Sequence, residues 1–229
     1  MSADFQHTAI LAGAFLMIFA IAELLYHRLK VEAEFSRKFA HISTGLLTLL
    51  FPILLSSHWW VLLLCASFAL ILVLSLRYKF FPSINAIERK SHGSLLFPLS
   101  VYCAFLLYDY EKVKNDGNVD ALIYFYLPIL TLAICDPLAA WFGGKFPYGP
   151  FYIRKGLKTL SGSFAFFISS ICLSLLILHY FPFANIAVNP FILVVLIAFC
   201  AAAVEGLSGD GIDNFTIPVT VAAILVLVS

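Results

Sequence analysis

The sequence predicts an all-α integral membrane protein that crosses the bilayer about eight times. Of its 229 residues, 62% are hydrophobic and only 12% are charged, whereas a soluble domain carries about 25% charged residues. Apolar runs long enough to cross a bilayer recur along the whole chain. No linker, repeat or low-complexity stretch interrupts them, so residues 1–229 are expected to form a single transmembrane domain.

Eight spans fit these runs, and seven fit if the last two, which flank a very short loop, do not both cross. The spans run roughly from His7 to Tyr26, Phe39 to Leu55, Trp59 to Leu76, Ser94 to Tyr108, Ala121 to Phe142, Ser163 to Tyr180, Pro190 to Val204 and Phe215 to Val228. The polar segment from Asp109 to Asp120 is then an outer loop.

The basic residues orient these spans. Twelve of the fourteen Lys and Arg residues fall in three loops that share one side, at positions 26–39, 77–93 and 143–162. The opposite side has Lys112 and Lys114, which are diluted by acidic residues. The positive-inside rule therefore places the basic loops in the cytoplasm and both termini outside. In a bacterium, the membrane would be the cytoplasmic (inner) one.

Composition also limits the partners. The net charge of +1 and the absence of a basic tail give no indication of nucleic-acid binding. All five cysteines lie inside apolar runs and no two form a CxxC pair, so they are interpreted as packing residues. Membrane lipids are the expected surroundings, and nothing in the sequence indicates an oligomeric state.

Four polar groups collect on the cytoplasmic side. The first two each combine basic residues with a histidine: Arg37, Lys38 and His41 in one, and Glu88, Arg89 and His92 in the other. Residues three and four apart share a helix face, so either group could bind an anion or a substrate. The alternative is that they are snorkelling basic residues or an ordinary charged loop.

The third group centres on Asp136, a carboxylate inside an apolar run. Its insertion costs ~3 kcal/mol, so it needs a partner, a metal or water. The neighbours Ala139, Ala140 and Gly143 are small and leave room for a ligand. A polar contact between helices is the structural alternative.

A phosphate-binding segment is predicted directly after this span. Its basic, hydroxyl and glycine residues precede a helix start, a combination that suits phosphate. These residues are Arg154, Lys155, Lys158, Thr159, Gly162 and Ser163. It is not a P-loop, because Leu157 separates Gly156 from Lys158. A loop that only anchors topology is the alternative.

The fourth group is acidic. Glu205, Asp210 and Asp213 lie in a short loop without a basic residue, and Asn214 follows as a helix cap or a further site residue. With Asp136, these carboxylates could bind Mg²⁺, which takes carboxylates and substrate phosphates. The four groups together predict phosphoryl or nucleotidyl transfer, which depends on charge neutralisation and positioning.

At these residues the sequence resembles the membrane-bound CTP-dependent lipid-alcohol kinases, the dolichol kinase and phytol kinase family. The matching motifs, in chain order, are Arg37-Lys38-x-x-His41 with Gly45, then Arg89 to Pro98, then Asp136-x-x-Ala139 with Gly143, then Lys158-Thr159-x-Ser161-Gly162-Ser163, and finally Glu205 followed by Asp213-Asn214-x-Thr216-Ile217-Pro218. Ser161 stands where the family often has Glu, which shifts the expected catalytic carboxylates to Asp136, Glu205 and Asp213.

The resemblance implies transfer of the CTP γ-phosphate to the hydroxyl of a long-chain alcohol such as phytol, a polyprenol or diacylglycerol. Lys158 with Arg154 or Lys155 would then hold phosphates, and Arg37, Lys38 and His41 would orient them. Asp213 and Asp136 would hold Mg²⁺, with Glu205 as a further ligand or the base.

Two alternatives are open. Part of the pattern also resembles the phosphatidate cytidylyltransferases, which transfer CMP to a lipid phosphate, although the basic, His- and Asp-rich signature associated with their C-terminal part is absent. Outside enzymes, an ion-coupled carrier would use Asp136 as its intramembrane site. The scarcity of other polar residues inside the spans, apart from Glu23, disfavours the carrier.

Overall fold

Long apolar helices dominate the structure, as the hydropathy of the chain requires. The computed structural model describes residues 3–78, 80–85, 92–114, 119–153, 156–181 and 188–229. The helices there are α1 Ala3–His27, α2 Ala33–Thr48, α3 Phe51–Leu54, α4 His58–Tyr78, α5 Pro82–Asn85, α6 Gly93–Lys114, α7 Ile123–Leu130, α8 Asp136–Lys145, α9 Leu160–Tyr180, α10 Pro190–Leu207 and α11 Asp213–Val228. A 3₁₀ turn, Val119–Leu122, precedes α7, and a π-helical turn, Thr131–Cys135, joins α7 to α8.

Six candidate spans in the described ranges are long and apolar enough to cross a bilayer, with α7, the π turn and α8 forming one of them. The lipid-facing pattern is that of a membrane protein, since large apolar side chains point outward: Met17 is 64% exposed and Phe199 65%. The predicted fold class, an all-α polytopic membrane protein, is confirmed.

Two predicted spans correspond to shorter helices. α2 and α11 have 16 residues each, or about 24 Å, which is less than a hydrocarbon core of ~30 Å. α2 continues almost directly into α3, and Pro52 accounts for the interruption because it has no amide proton to donate to the Thr48 carbonyl. Together α2 and α3 reach the beginning of α1, where His7 Nδ1 lies 2.8 Å from the Leu54 carbonyl oxygen.

The span from Ile123 to Lys145 is the centre of the bundle. Most of it (78%) is buried, against 39% or less for the other five. Phe125, Leu127 and Leu132 have no exposed surface, and helices α2, α6, α9 and α11 pack around this span. The carboxylate of Asp136 is therefore carried by the element that the rest of the fold surrounds.

Two segments that were predicted as loops contain regular secondary structure. Residues 109–114 of the predicted outer loop continue α6, and Lys114 pairs with Glu111 one turn earlier at 3.4 Å. The segment 143–162 contains a β-hairpin whose strands are β1 Pro150–Ile153 and β2 Gly156–Thr159. Its backbone groups need partners where the chain leaves α8, and antiparallel pairing supplies them.

Candidate active site

Asp136 stands at a break in the central span. The π turn ends at Cys135, and Asp136 and Pro137 open α8. Proline cannot donate the amide hydrogen bond that the Ala133 carbonyl would otherwise accept, and a π turn is one way for a helix to absorb that loss. The turn thereby sets the direction in which the Asp136 side chain leaves the helix.

The surroundings of Asp136 are charged. Its carboxyl group interacts electrostatically with Glu205, Lys158, Arg37 and Lys38. These residues come from α10, β2 and α2, which are remote in sequence. Three of the four predicted groups therefore meet at one end of the bundle.

Lys158 is brought into this cluster by the hairpin. It pairs in register with Phe151, whose ring packs near Gly206 of α10, so this face of the hairpin lies on the bundle. The Lys158 ammonium donates to Glu205 Oε1 and to the Glu205 carbonyl oxygen, both at 2.5 Å, and lies 3.6 Å from Asp213 Oδ2. With the side chains of all three residues 16% exposed or less, this is a largely desolvated ion cluster.

Thr159 and Gly162 form the helix start that the sequence predicted. Thr159 caps α9, and its hydroxyl accepts a hydrogen bond from the Gly162 amide at 3.1 Å. Gly143 of α8 and Gly162 allow the two helices to touch: a Cβ atom on Gly162 would lie 2.9 Å from the Ala139 carbonyl oxygen. Ser163, one residue further, places its hydroxyl 3.4 Å from Glu205 Oε2.

The acidic loop closes the site from the other side. Asp210 and Gly211 take left-handed backbone angles, with φ of 57° and 81°, so the chain turns sharply before α11. The Asp210 carbonyl oxygen accepts from the His92 amide at 2.8 Å. Asn214 Nδ2 donates to the Gly93 carbonyl oxygen at 2.9 Å, which fixes the start of α6 beside the start of α11.

Arg37, Lys38 and His41 lie on one face of α2, as the spacing predicted. Arg37 and Lys38 both reach Glu34, at 2.8 and 3.6 Å. The ring of His41 bonds to the backbone of Leu132 and interacts electrostatically with Asp213. Its buried Nε2 has no hydrogen-bond partner among the described residues, so one polar atom of this face is left for a ligand or water.

One curated relative is similar enough to show which family the chain belongs to. The chain is 30% identical over 220 residues to a phytol kinase from Synechocystis sp., and the match covers 93% of this chain and 88% of the relative. The chain belongs to the phytol kinase family. The resemblance to lipid-alcohol kinases found in the sequence is therefore confirmed at the level of the family. No family model matches the sequence, and no solved structure matches it.

This phytol kinase family member has carboxylate ligands that suit Mg²⁺, but those in the described ranges do not form a complete metal site. Carboxylate oxygens suit this hard cation. Within the described ranges, however, no three His, Cys, Asp or Glu side chains converge as a metal-binding group, and Lys158 lies between Glu205 and Asp213. Because Mg²⁺ is usually held by one or two carboxylates together with substrate phosphates, the residues fit a metal that arrives with a nucleotide.

Four of the predicted site residues, Glu88, Arg89, Arg154 and Lys155, lie outside the described residues. Sequence reasoning missed Glu34, whose spacing to Arg37 and Lys38 is the ordinary signal for ion pairs along a helix. It also missed the pairing of Lys158 with Glu205, for which the sequence carries no local signal because 47 positions separate the two residues.

Proposed function

We propose that this protein transfers the γ-phosphate of CTP to the hydroxyl of a long-chain lipid alcohol at the cytoplasmic face of the membrane. One observation carries the proposal: Lys158 lies between Glu205 and Asp213, within electrostatic range of Asp136, at one end of an apolar bundle. A cation for phosphate oxygens and acids for a metal and a proton are the groups that phosphoryl transfer needs. The phytol kinase relative supports phytol as the acceptor, and a polyprenol and diacylglycerol are the other long-chain alcohols proposed.

The proposed step is an in-line displacement. The alcohol oxygen bonds to the γ-phosphorus, the bond from that phosphorus to the β–γ bridging oxygen breaks, and the nucleoside diphosphate leaves with the electron pair. The hydroxyl proton passes to a carboxylate, for which Glu205 and Asp136 are the candidates. Lys158 neutralises charge on the phosphate oxygens, which is the main contribution a protein makes to this chemistry.

Metal binding is assigned to the acidic residues, and orientation of the nucleotide to the basic face of α2. Asp213 and Asp136 are proposed to bind Mg²⁺, which would offset phosphate charge when present. Arg37, Lys38 and His41 are proposed to orient the nucleotide. The Nε2 of His41, which has no hydrogen-bond partner in the described part of the chain, supports a ligand on that face. The capped start of α9 adds backbone amides at the same place.

The structure gives Glu23 a role that does not require transport. Its carboxylate accepts from the Ser83 amide at 3.1 Å and from the Ser83 hydroxyl at 2.5 Å, and it pairs with His27 at 3.1 Å. These bonds tie the end of α1 to α5. An ion-coupled carrier would need polar groups along a path through the bundle, and Glu23 is instead used as a structural anchor.

The deciding experiment supplies γ-labelled CTP or ATP, Mg²⁺ and a panel of lipid alcohols to the purified protein. Label in the lipid with CTP, and its loss on chelation of Mg²⁺, is the expected result. Equal labelling from ATP would overturn the nucleotide assignment. Pyrophosphate release that depends on added phosphatidate, with no labelled alcohol, would identify a cytidylyltransferase instead.

A further inference from the structure

An apolar groove runs along the lipid-facing seam between α6 and α11. It has a volume of about 450 Å³, in the range of small-molecule sites. Its walls combine small residues, among them Cys103 on α6 and Ala223 on α11, with larger aliphatic ones such as Leu107 and Leu227. The Ser100 hydroxyl donates to the Phe97 carbonyl oxygen at 2.9 Å, so it is already satisfied and adds no demand for a polar ligand.

The groove leads away from the candidate site. The two helices run in the same direction, since their starts are joined by the hydrogen bond from Asn214 to Gly93 and residues further along both helices line the same groove. The groove begins at Ser100 and Pro218, and along a helix these lie about 8–10 Å from the helix starts. It ends near Leu107 and Leu227, roughly 10–14 Å further toward the opposite face.

We propose that this groove holds the hydrocarbon chain of the acceptor alcohol, with its hydroxyl end toward Asp213 and Asn214. The assignment rests on the proposed function and names where the acceptor binds. The end near the site carries the acids Asp210 and Asp213. The Asp213 carboxylate can accept a hydrogen bond from a neutral hydroxyl, so the head of an alcohol has a partner at this end of the groove.

Such a groove would position the acceptor alcohol for reaction rather than increase its binding affinity. Lipid tails are as apolar as the groove, so moving a chain from bilayer to groove gains little hydrophobic energy. A chain that lies in a fixed seam nevertheless aims its hydroxyl at the cluster, and misplacement by about 1 Å can cost about 100-fold in rate. Filling the groove should therefore impair long-chain acceptors and spare alcohols too short to reach it.

The test compares Ala223→Phe with Ala66→Phe in the full chain. Ala223 lines the groove and is exposed, whereas Ala66 is exposed on α4 and does not line it. For a twenty-carbon isoprenoid alcohol, Ala223→Phe should lower kcat/KM by at least about tenfold. The same variant should change kcat/KM for a short alcohol by less than about twofold, and Ala66→Phe should match wild type for both. Cys103→Phe, on the opposite wall, should reproduce the effect if Ala223→Phe fails to fold.

A second measurement does not require turnover. An isoprenoid alcohol with a diazirine at the far end of its chain should label peptides of α6 and α11, and unlabelled alcohol should compete. Labelling that is unspecific, or unchanged in Ala223→Phe, would mean that bulk lipid alone fills the groove. An active wild type with chain-length-independent variants overturns the groove only. A wild type inactive on every alcohol overturns the proposed function, and the labelling then decides whether the groove binds such chains.

Discussion

At the residue scale, the pairing of Lys158 determines how its substitution should be interpreted. Its ammonium is 2.5 Å from Glu205 Oε1, in a largely buried pair. Removal of one partner of a buried pair costs about 3–5 kcal/mol. We therefore predict that Lys158→Ala lowers the yield of folded protein, measured by gel filtration. Turnover per folded molecule, measured by label transfer, should fall by roughly two orders of magnitude or more.

A double variant separates these two effects. Lys158→Ala with Glu205→Ala removes both charges of the closest pair and leaves only Asp213 of the cluster without this cation, so it should restore part of the folded yield while activity stays low. Lys145→Ala is the matched control, because the Lys145 ammonium is exposed and lies over the Trp141 ring at 4.9 Å, and it should be close to silent. Equal and small effects of both single variants would make this segment a topological anchor.

Substitution of Asp136 is expected not to destabilise the protein, in contrast to substitution of Lys158. Its carboxyl group interacts with Glu205, a like charge, as well as with Lys158. Asp136→Asn removes a costly intramembrane charge and a repulsion, so the Tm should be unchanged or raised. Turnover should be abolished if the carboxylate binds Mg²⁺ or takes the proton. A lowered Tm with full activity per folded molecule would instead make Asp136 a structural contact between helices.

At the scale of elements, two neighbouring glycines provide a matched comparison. A Cβ on Gly143 would overlap the Thr159 hydroxyl and come within 3.2 Å of Gly162 Cα, while a Cβ on Gly144 would meet nothing within 4 Å. Gly143→Ala must push α8 away from α9, and overpacking of this kind costs about 1–3 kcal/mol. Gly144→Ala should be neutral or slightly stabilising, because alanine favours helix.

Thermal unfolding and turnover of both glycine variants test this contact. Gly143→Ala should lower the Tm and also turnover, because the displaced Thr159 cap lies next to Lys158 in the chain. Equal Tm values for the two variants would show that α8 and α9 do not depend on this close approach.

Elements differed in how well the sequence predicted them. The apolar spans were found because each is a single long run, and hydropathy within one run is a local property. The hairpin was not predicted. Its strands have four residues each, and they depend on the pairing of Phe151 with Lys158 rather than on a local pattern. The π turn before Asp136 was also missed.

At the scale of the whole molecule, topology alone placed the four polar groups on one side of the membrane. Their contacts depend on packing between distant helices, as in the bond between Asn214 and Gly93, which are 121 positions apart. Hydropathy contains no information on which helices are neighbours. The sequence therefore allowed the candidate residues to be proposed, whereas it gave no indication of the ion cluster of Lys158 with Glu205 and Asp213.

The same topology yields a prediction about both ends of the chain. The beginning of α1 meets the end of α3, where the Ser56 amide donates to Asp4 at 3.2 Å, and Ser229 at the end of α11 bonds to Tyr124 at the beginning of α7. The sequence predicts twelve of the fourteen Lys and Arg residues at the other face. The positive-inside rule then places that face in the cytoplasm and both termini outside.

Reporter fusions test this orientation. Alkaline phosphatase, which is active only outside the cytoplasm, should be active when fused after Ser229, and a fluorescent protein that matures only in the cytoplasm should be dark there. The same two reporters fused after Lys145 of a truncated chain should give the reverse pattern, because Lys145 ends a helix next to the basic segment. Fluorescence from the Ser229 fusion would place the C-terminus in the cytoplasm and contradict this orientation. The face that carries the Lys158 cluster would then lie outside, contrary to the positive-inside rule. A cytoplasmic nucleotide could not reach the proposed site.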